Sequence, residues 1–124
     1  MIKGIGMDLI ELDRIAKSLK QNDRLAKRVL THKELQIFNA HPTETRRIEF
    51  LAGRFAAKEA FAKAAGTGVG KMGFHNMEIL PGENGAPVLR AVGYKNEQIF
   101  ISITHSRDYA AAQVVIEAND AMHN

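Results

Sequence analysis

A chain of 124 residues with 45% apolar and 25% charged residues fits one globular domain able to bury its own core. It has no cysteine, which excludes disulfide staples and thiolate metal sites and suits a reducing, cytoplasmic compartment. The net charge of +3 is mild, no apolar run reaches membrane-spanning length, and Asp8 interrupts the stretch where a signal peptide would be apolar.

Ile2–Met7 reads as a strand ending at Asp8. Asp8-Leu-Ile-Glu11 fits a helix capping box, which is the better reading of Asp8 taken alone; an Asp at a strand end is also a common metal ligand. A helix is predicted over Leu12–Leu30. Between positions 14 and 33 stand seven basic residues against one acid, Asp23. On a helical wheel Arg14, Lys17, Lys20, Arg24, Lys27 and Arg28 fall on one side. Leu12, Ile15, Ala16, Leu19, Ala26, Val29 and Leu30 fall on the other. A face of single sign implies an anionic partner: an acidic protein, nucleic acid or an anionic membrane. The face has no obvious aromatics to stack on bases. Leu25, on its edge, suits an apolar anchor for a partner protein.

Thr31-His-Lys-Glu34 has the capping-box pattern and predicts a second helix toward Ala40. His41–Thr45 is a connection, and an Ala-rich helix covers about Arg47–Ala65, with Gly66 placed for a left-handed cap. Glu59 and Lys63 are four apart and share a face. Ala52, Ala56 and Ala62 flank them, so a carboxylate and an ammonium project from a nearly bare surface. A chain segment, a metal or a phosphorylated ligand could approach there. Taken alone, the spacing fits an ordinary surface ion pair better.

Gly66-Thr-Gly-Val-Gly70 is a turn and not a phosphate loop, because no Lys-Ser/Thr follows it and the glycines come after a helix. Phe74–Leu80 and Pro87–Val92 read as strands joined by the turn-rich Pro81-Gly-Glu-Asn-Gly85. Phe100–Thr104 and Tyr109–Glu117 read as a hairpin around His105-Ser-Arg-Asp108. His105 fits a turn histidine bonded to backbone, or a group facing an anionic ligand. Ala118–Asn124 reads as a frayed tail to a single domain. Helices first and strands second predict an α+β fold, with the basic helix and the Ala-rich helix packed on a mainly antiparallel sheet.

Four segments in order resemble one family: Gly4-Ile-Gly-Met-Asp8-Leu-Ile-Glu11, Phe55-Ala-Ala-Lys-Glu59-Ala-x-x-Lys63-Ala-x-Gly-Thr-Gly68, Asn84-Gly-x-Pro87 and Ser102-Ile-Thr-His105. The family is holo-acyl-carrier-protein synthase, the small single-domain type of phosphopantetheinyl transferase, and the resemblance runs from about Met1 to Glu117. It implies transfer of the phosphopantetheine arm of coenzyme A to a serine of apo acyl carrier protein, for fatty acid biosynthesis or polyketide synthesis. Adenosine 3′,5′-bisphosphate would leave.

The resemblance also implies roles. Asp8, Glu59 and Lys63 would be catalytic, with Asp8 and Glu59 holding Mg²⁺ and Lys63 holding a phosphate. Arg54, Lys58 and Gly66 would join the coenzyme A site. Asn84, Gly85, Pro87, His105 and Ser106 would form its adenosine and 3′-phosphate end. Glu59 or a metal-bound water would accept the serine proton. Arg14, Lys17, Gln21, Arg24, Leu25 and Arg28 would receive the acidic acyl carrier protein, with no role for nucleic acid or membrane. The family implies a homotrimer with sites between subunits. One departure is the short Gly93-Tyr-Lys-Asn-Glu97 connection, where the family has a longer helical one. Two other readings are a non-catalytic module for an acidic partner and a coenzyme A-dependent acyltransferase.

Overall fold

The computed structural model describes residues 1–119. The first strand, β1, spans Ile2–Glu11, past the expected end at Asp8. It continues because β5 (Tyr109–Ala118) pairs with it throughout, Asp8 opposite Ala112 and Glu11 opposite Tyr109. Asp8 is therefore a mid-strand residue. Glu11 precedes the next helix, so the Asp8–Glu11 capping box does not form.

The single helix expected over 12–30 is two, α1 (Leu12–Gln21) and α2 (Arg24–Val29). Asn22 breaks it: its backbone is extended, with φ −173° and ψ −177°, and its side-chain oxygen accepts from the Arg24 amide at 3.0 Å. Such local bonds offer the chain an alternative to the helix. Ile15, Ala26, Val29 and Leu30 are buried and the basic residues exposed, as the wheel predicts.

Helix α3 (His32–Ala40) opens on the expected box: Thr31 Oγ1 accepts from the Glu34 amide and Glu34 Oε1 from the Thr31 amide. Helix α4 spans Glu44–Ala65, opening earlier than Arg47 because Thr43 Oγ1 caps it at the Arg46 amide. It closes on Gly66, whose φ of +76° is the left-handed conformation that glycine takes without a Cβ clash. The glycine stretch is not all turn; Val69–Met72 form a short helix, α5. A 3₁₀ turn over Phe74–Asn76 delays the next strand, and Asn76 Nδ2 donating to the Met72 carbonyl at 2.7 Å ties that turn to α5. Strands β2 (Met77–Pro81) and β3 (Pro87–Ala91) form a hairpin, and β4 (Glu97–His105) precedes β5.

The main sheet is antiparallel in the order β1-β5-β4, with the β2–β3 hairpin separate, so the α+β expectation is met. Ala118 belongs to β5 and donates its amide to the Met1 carbonyl, and is not the start of a tail. Of the rest of the expected tail, Asn119 lies outside any strand or helix and residues 120–124 lie outside the described residues.

Helix α4 packs on β1 and β5, where Ile10, Ala110, Ala112, Val114 and Ile116 are buried with Leu51, Ala56, Ala60 and Phe61. The approach is main chain to main chain. A Cβ on Gly4 would run into the Ala64 carbonyl oxygen, and one on Gly6 into that of Ala60. The sheet's other face is bare: Ile5, Met7, Leu9, Phe100 and Tyr109 are all exposed.

Candidate functional site

Strand β1 and the last turns of α4 bring three expected residues together. Lys63 Nζ donates to Asp8 Oδ1 and to the Met7 carbonyl, each at 3.0 Å. Asp8 is mostly covered, its side chain 17% exposed. Glu59 lies one helical turn before Lys63 on the same side of α4. Burial raises the Glu59 carboxyl above its ordinary value and the charge of Asp8 raises it further; Lys63, Arg28 and Arg14 pull the other way. Two mutually repelling carboxylates with cations around them form an electrostatic cluster, and it draws Arg14 and Arg28 of the basic helices into the field of Glu59.

Beside this cluster is a cavity of about 680 Å³, lined by Glu59, Arg28, Val69, Gly70, Gly73, Phe74 and His75. Arg28 lies over the Phe74 ring, 5.6 Å from its centre. His75 Nε2 donates to the Lys27 carbonyl at 2.8 Å. The sequence reading missed Phe74 and His75. They carry no motif, and only the turn after α5 brings them to α2.

Among the described residues no three Asp, Glu, His or Cys side chains gather as a metal cage. Two carboxylates are the usual protein share for Mg²⁺, whose other ligands are phosphate oxygens and water. Asp8 and Glu59 fit that donor set, since a divalent cation would offset both the burial of the Glu59 charge and its repulsion by Asp8.

Lys58 is a correction. It was expected to add to the field over a ligand, yet it is fully buried. Its ammonium donates to Glu34 Oε1 at 2.6 Å, to the Val29 carbonyl at 2.7 Å and to the Phe74 carbonyl at 3.2 Å. Glu34 Oε2 in turn accepts from the Ile79 amide at 2.7 Å. Burial pulls the Lys58 ammonium below the ordinary lysine value, and Glu34 opposes that pull. The reason lies in helix geometry: one residue from Glu59 is a 100° rotation, which turns Lys58 toward α2 and α3.

The other expected ligand residues lie apart. Arg54 stacks on the Phe50 ring at 4.2 Å, and its buried Nε has no hydrogen-bond partner among the described residues. His105 Nδ1 lies 3.4 Å from Glu49 Oε2. Ser106 closes the β4–β5 turn through Tyr109 and lines a separate cavity with Glu11, Asp13, Glu49 and Asp108. Asn84 and Gly85 are exposed in the β2–β3 turn, with Pro87 opening β3. Gly66 is the cap of α4.

The basic face is on the surface. Arg14, Lys17, Gln21, Arg24 and Arg28 are exposed, and Leu25 is half-buried in a hollow with Arg14, Ser18 and Arg28. Lys17 and Lys27 pair with Asp13 and Asp23 one turn away. Among the described residues Arg14, Lys20, Arg24 and Arg28 make no salt bridge, so these four carry the unmatched charge of the face.

A strand carboxylate, a helix carboxylate and a helix lysine beside a cationic cavity suit group transfer between phosphorylated ligands. Residues 4–114 match the ACPS family of the 4′-phosphopantetheinyl transferase superfamily, and the chain belongs to that superfamily. It is 53% identical over 118 residues to a holo-[acyl-carrier-protein] synthase of Bacillus pumilus (strain SAFR-032), covering 94% of this chain and 97% of that one. Among solved structures, a holo-(acyl-carrier-protein) synthase of Bacillus anthracis in complex with CoA (3′,5′-ADP) superposes with a TM-score of 0.85 at 43% identity, covering 95% and 98% of the two chains. The Helicobacter pylori holo-[acyl-carrier-protein] synthase in complex with coenzyme A gives 0.78 at 30% identity, covering 91% and 99%.

Proposed function

We propose that this chain transfers the 4′-phosphopantetheine arm of coenzyme A to a serine hydroxyl of an apo acyl carrier protein. The observation that carries the reading is the meeting of Asp8, Glu59 and Lys63 beside the Arg28–Phe74 cavity, in a chain of this superfamily. The serine oxygen forms a bond to the phosphorus bearing pantetheine. The bond from that phosphorus to the bridging oxygen breaks, and adenosine 3′,5′-bisphosphate leaves. Chemistry of this type is mostly positioning and charge stabilisation.

Each residue has a part in it. Lys63 uses two of its three N–H donors on Asp8 and Met7, which leaves one for a phosphate oxygen. Glu59 faces the cavity and takes the serine proton directly or through water. Asp8 and Glu59 would hold Mg²⁺, which when bound supplies positive charge to the phosphoryl oxygens and the departing bisphosphate. Arg14, Arg24 and Arg28 steer the acidic carrier and set its serine toward the cavity.

The chain acts as a homotrimer in this reading. Two observations support it. The sheet face bearing Ile5, Met7, Leu9 and Phe100 is apolar and bare, and the same faces of two further copies, packed round a three-fold axis, would cover it. His105, Ser106 and the Asn84–Pro87 turn share no contact with the Glu59 cavity in one chain, so a neighbouring subunit would complete the coenzyme A site.

The test is the intact mass of apo acyl carrier protein after incubation with this chain, coenzyme A and Mg²⁺, with and without EDTA. A metal-dependent gain of one phosphopantetheine establishes the reaction. No gain with several carriers and a folded sample refutes it. Light scattering on the same sample tests the trimer, and a fully active monomer would refute that.

A further inference from the structure

We propose that Lys58 is a positioning residue for the transfer, whose one buried ammonium locks two walls of the Glu59 cavity to helix α4. The proposal rests on the transferase reading above and adds to it how the cavity keeps its shape.

The walls are weak by themselves. Helix α2, which carries Arg28, has six residues, and the segment carrying Phe74 is a three-residue 3₁₀ turn. Helices this short do not hold their form unaided. Each is hydrogen-bonded to α4 at one carbonyl, since Val29, next to Arg28, and Phe74 itself both accept from Lys58 Nζ, in addition to the apolar packing of Val29 in the core and of the Phe74 ring on Phe55, 5.7 Å between centres. The third donor of the ammonium goes to Glu34. All three N–H groups are therefore used inside the protein, and the side chain is fully buried. None remains for a ligand phosphate.

The walls are also tied to each other, by His75 to the Lys27 carbonyl and by Arg28 over Phe74. Lys58 adds the hydrogen bonds that run from both of them to the helix carrying Glu59. Because Lys58 and Glu59 are adjacent on one rigid helix, the clamp fixes the cavity walls in the frame of the carboxylate. A displacement on the order of 1 Å can cost roughly a hundredfold in rate where catalysis is positioning.

A purely structural ion pair would behave differently. Replacing a buried pair by uncharged groups is often neutral for stability. The variant to make is Lys58→Met with Glu34→Gln, which removes the ammonium without stranding a buried charge. Melting, coenzyme A affinity by calorimetry, and kcat with apo acyl carrier protein are then compared with wild type. The proposal expects a folded protein with coenzyme A affinity within about threefold and kcat lower by about tenfold or more. It also expects faster hydrogen exchange at the Leu30 and Met77 amides, which bond within the two walls.

Wild-type kcat in the folded variant overturns the proposal. So does an effect confined to coenzyme A affinity, which would make Lys58 a phosphate-binding lysine. If the double variant does not fold, exchange on the wild type decides. Leu30 and Met77 amides as slow as those of α4 support the clamp; exchange a hundredfold faster than α4 overturns it. Absence of transfer by the wild type in the same assay would defeat the transferase reading. An active wild type with an equally active variant defeats only this inference.

Discussion

Lys63 Nζ sits 3.0 Å from Asp8 Oδ1, across 55 positions of sequence, and the same ammonium holds the Met7 carbonyl. One side chain therefore fastens the end of α4 to the strand bearing the first carboxylate, and it also pulls the Glu59 carboxyl down against its burial. Lys63→Met removes all three effects. Transfer should fall more than about tenfold, since charge-assisted bonds are the strong ones. The Glu59 carboxyl, followed by NMR titration, should move further up. An unmoved Glu59 would show that Lys63 does not act on it.

Glu59 also makes a stability prediction for the metal-free protein. Its folded value is raised, so between the ordinary glutamate value and the raised one the folded state keeps a proton that the unfolded state has released. By linkage stability then falls as pH rises through that window and stays lower above it. Glu59→Gln removes the fall. In EDTA, its melting temperature should match wild type well below about pH 4.3 and exceed it at neutral pH. A wild type that is the more stable at neutral pH contradicts the shift. The same variant should lose more than about a hundredfold in transfer if Glu59 both holds the metal and accepts the proton.

The arginines of the basic face should separate the two substrates. Arg14→Glu or Arg24→Glu should raise the KM for acyl carrier protein and leave that for coenzyme A nearly unchanged. The wild-type KM for the carrier should itself rise with salt, because steering between exposed charges is screened within about 8 Å at physiological ionic strength. Equal effects on both substrates would sink the carrier-docking role. Arg14 is the more sensitive case, since its charge also reaches Glu59.

Gly6→Ala should be among the worst small substitutions in the chain. The new methyl would enter the Ala60 carbonyl oxygen, which is helix backbone and cannot rotate away. Overpacking of this kind costs about 1–3 kcal/mol or more, and here it would also separate Asp8 from Glu59. The expected result is a lower melting temperature together with lost transfer. A protein as stable as wild type would mean that strand and helix can part without cost.

Much of this could be read along the chain. Two local signals held, with Thr31–Glu34 forming both bonds of their box and Gly66 taking the left-handed cap, while the Asp8–Glu11 box did not form. Asp8, Glu59 and Lys63 meet as their motifs imply. What failed depended on competition or on distance. The periodicity of 12–30 is continuous, but the Asn22 side chain breaks the backbone. The strand past Asp8 exists because β5 pairs with it. Lys58, expected in the coenzyme A site, is instead enclosed by α2, α3 and the Phe74 turn. Glu34 was legible as a cap and not as a buried counterion, because its partner is 24 positions away.

The two glycines of β1 have a consequence for how such a chain can change. The separation between the strand of Asp8 and the helix of Glu59 is set by main-chain atoms, which no substitution elsewhere in the core alters directly. No side chain of α1 or α2 enters that contact, although Arg14 and Arg28 reach the field of Glu59. Lys17, Gln21 and Arg24, the outer part of the proposed docking face, can therefore be recoloured to suit a different carrier while the strand-to-helix separation stays as it is. Recognition and chemistry are free to drift at different speeds within one small domain.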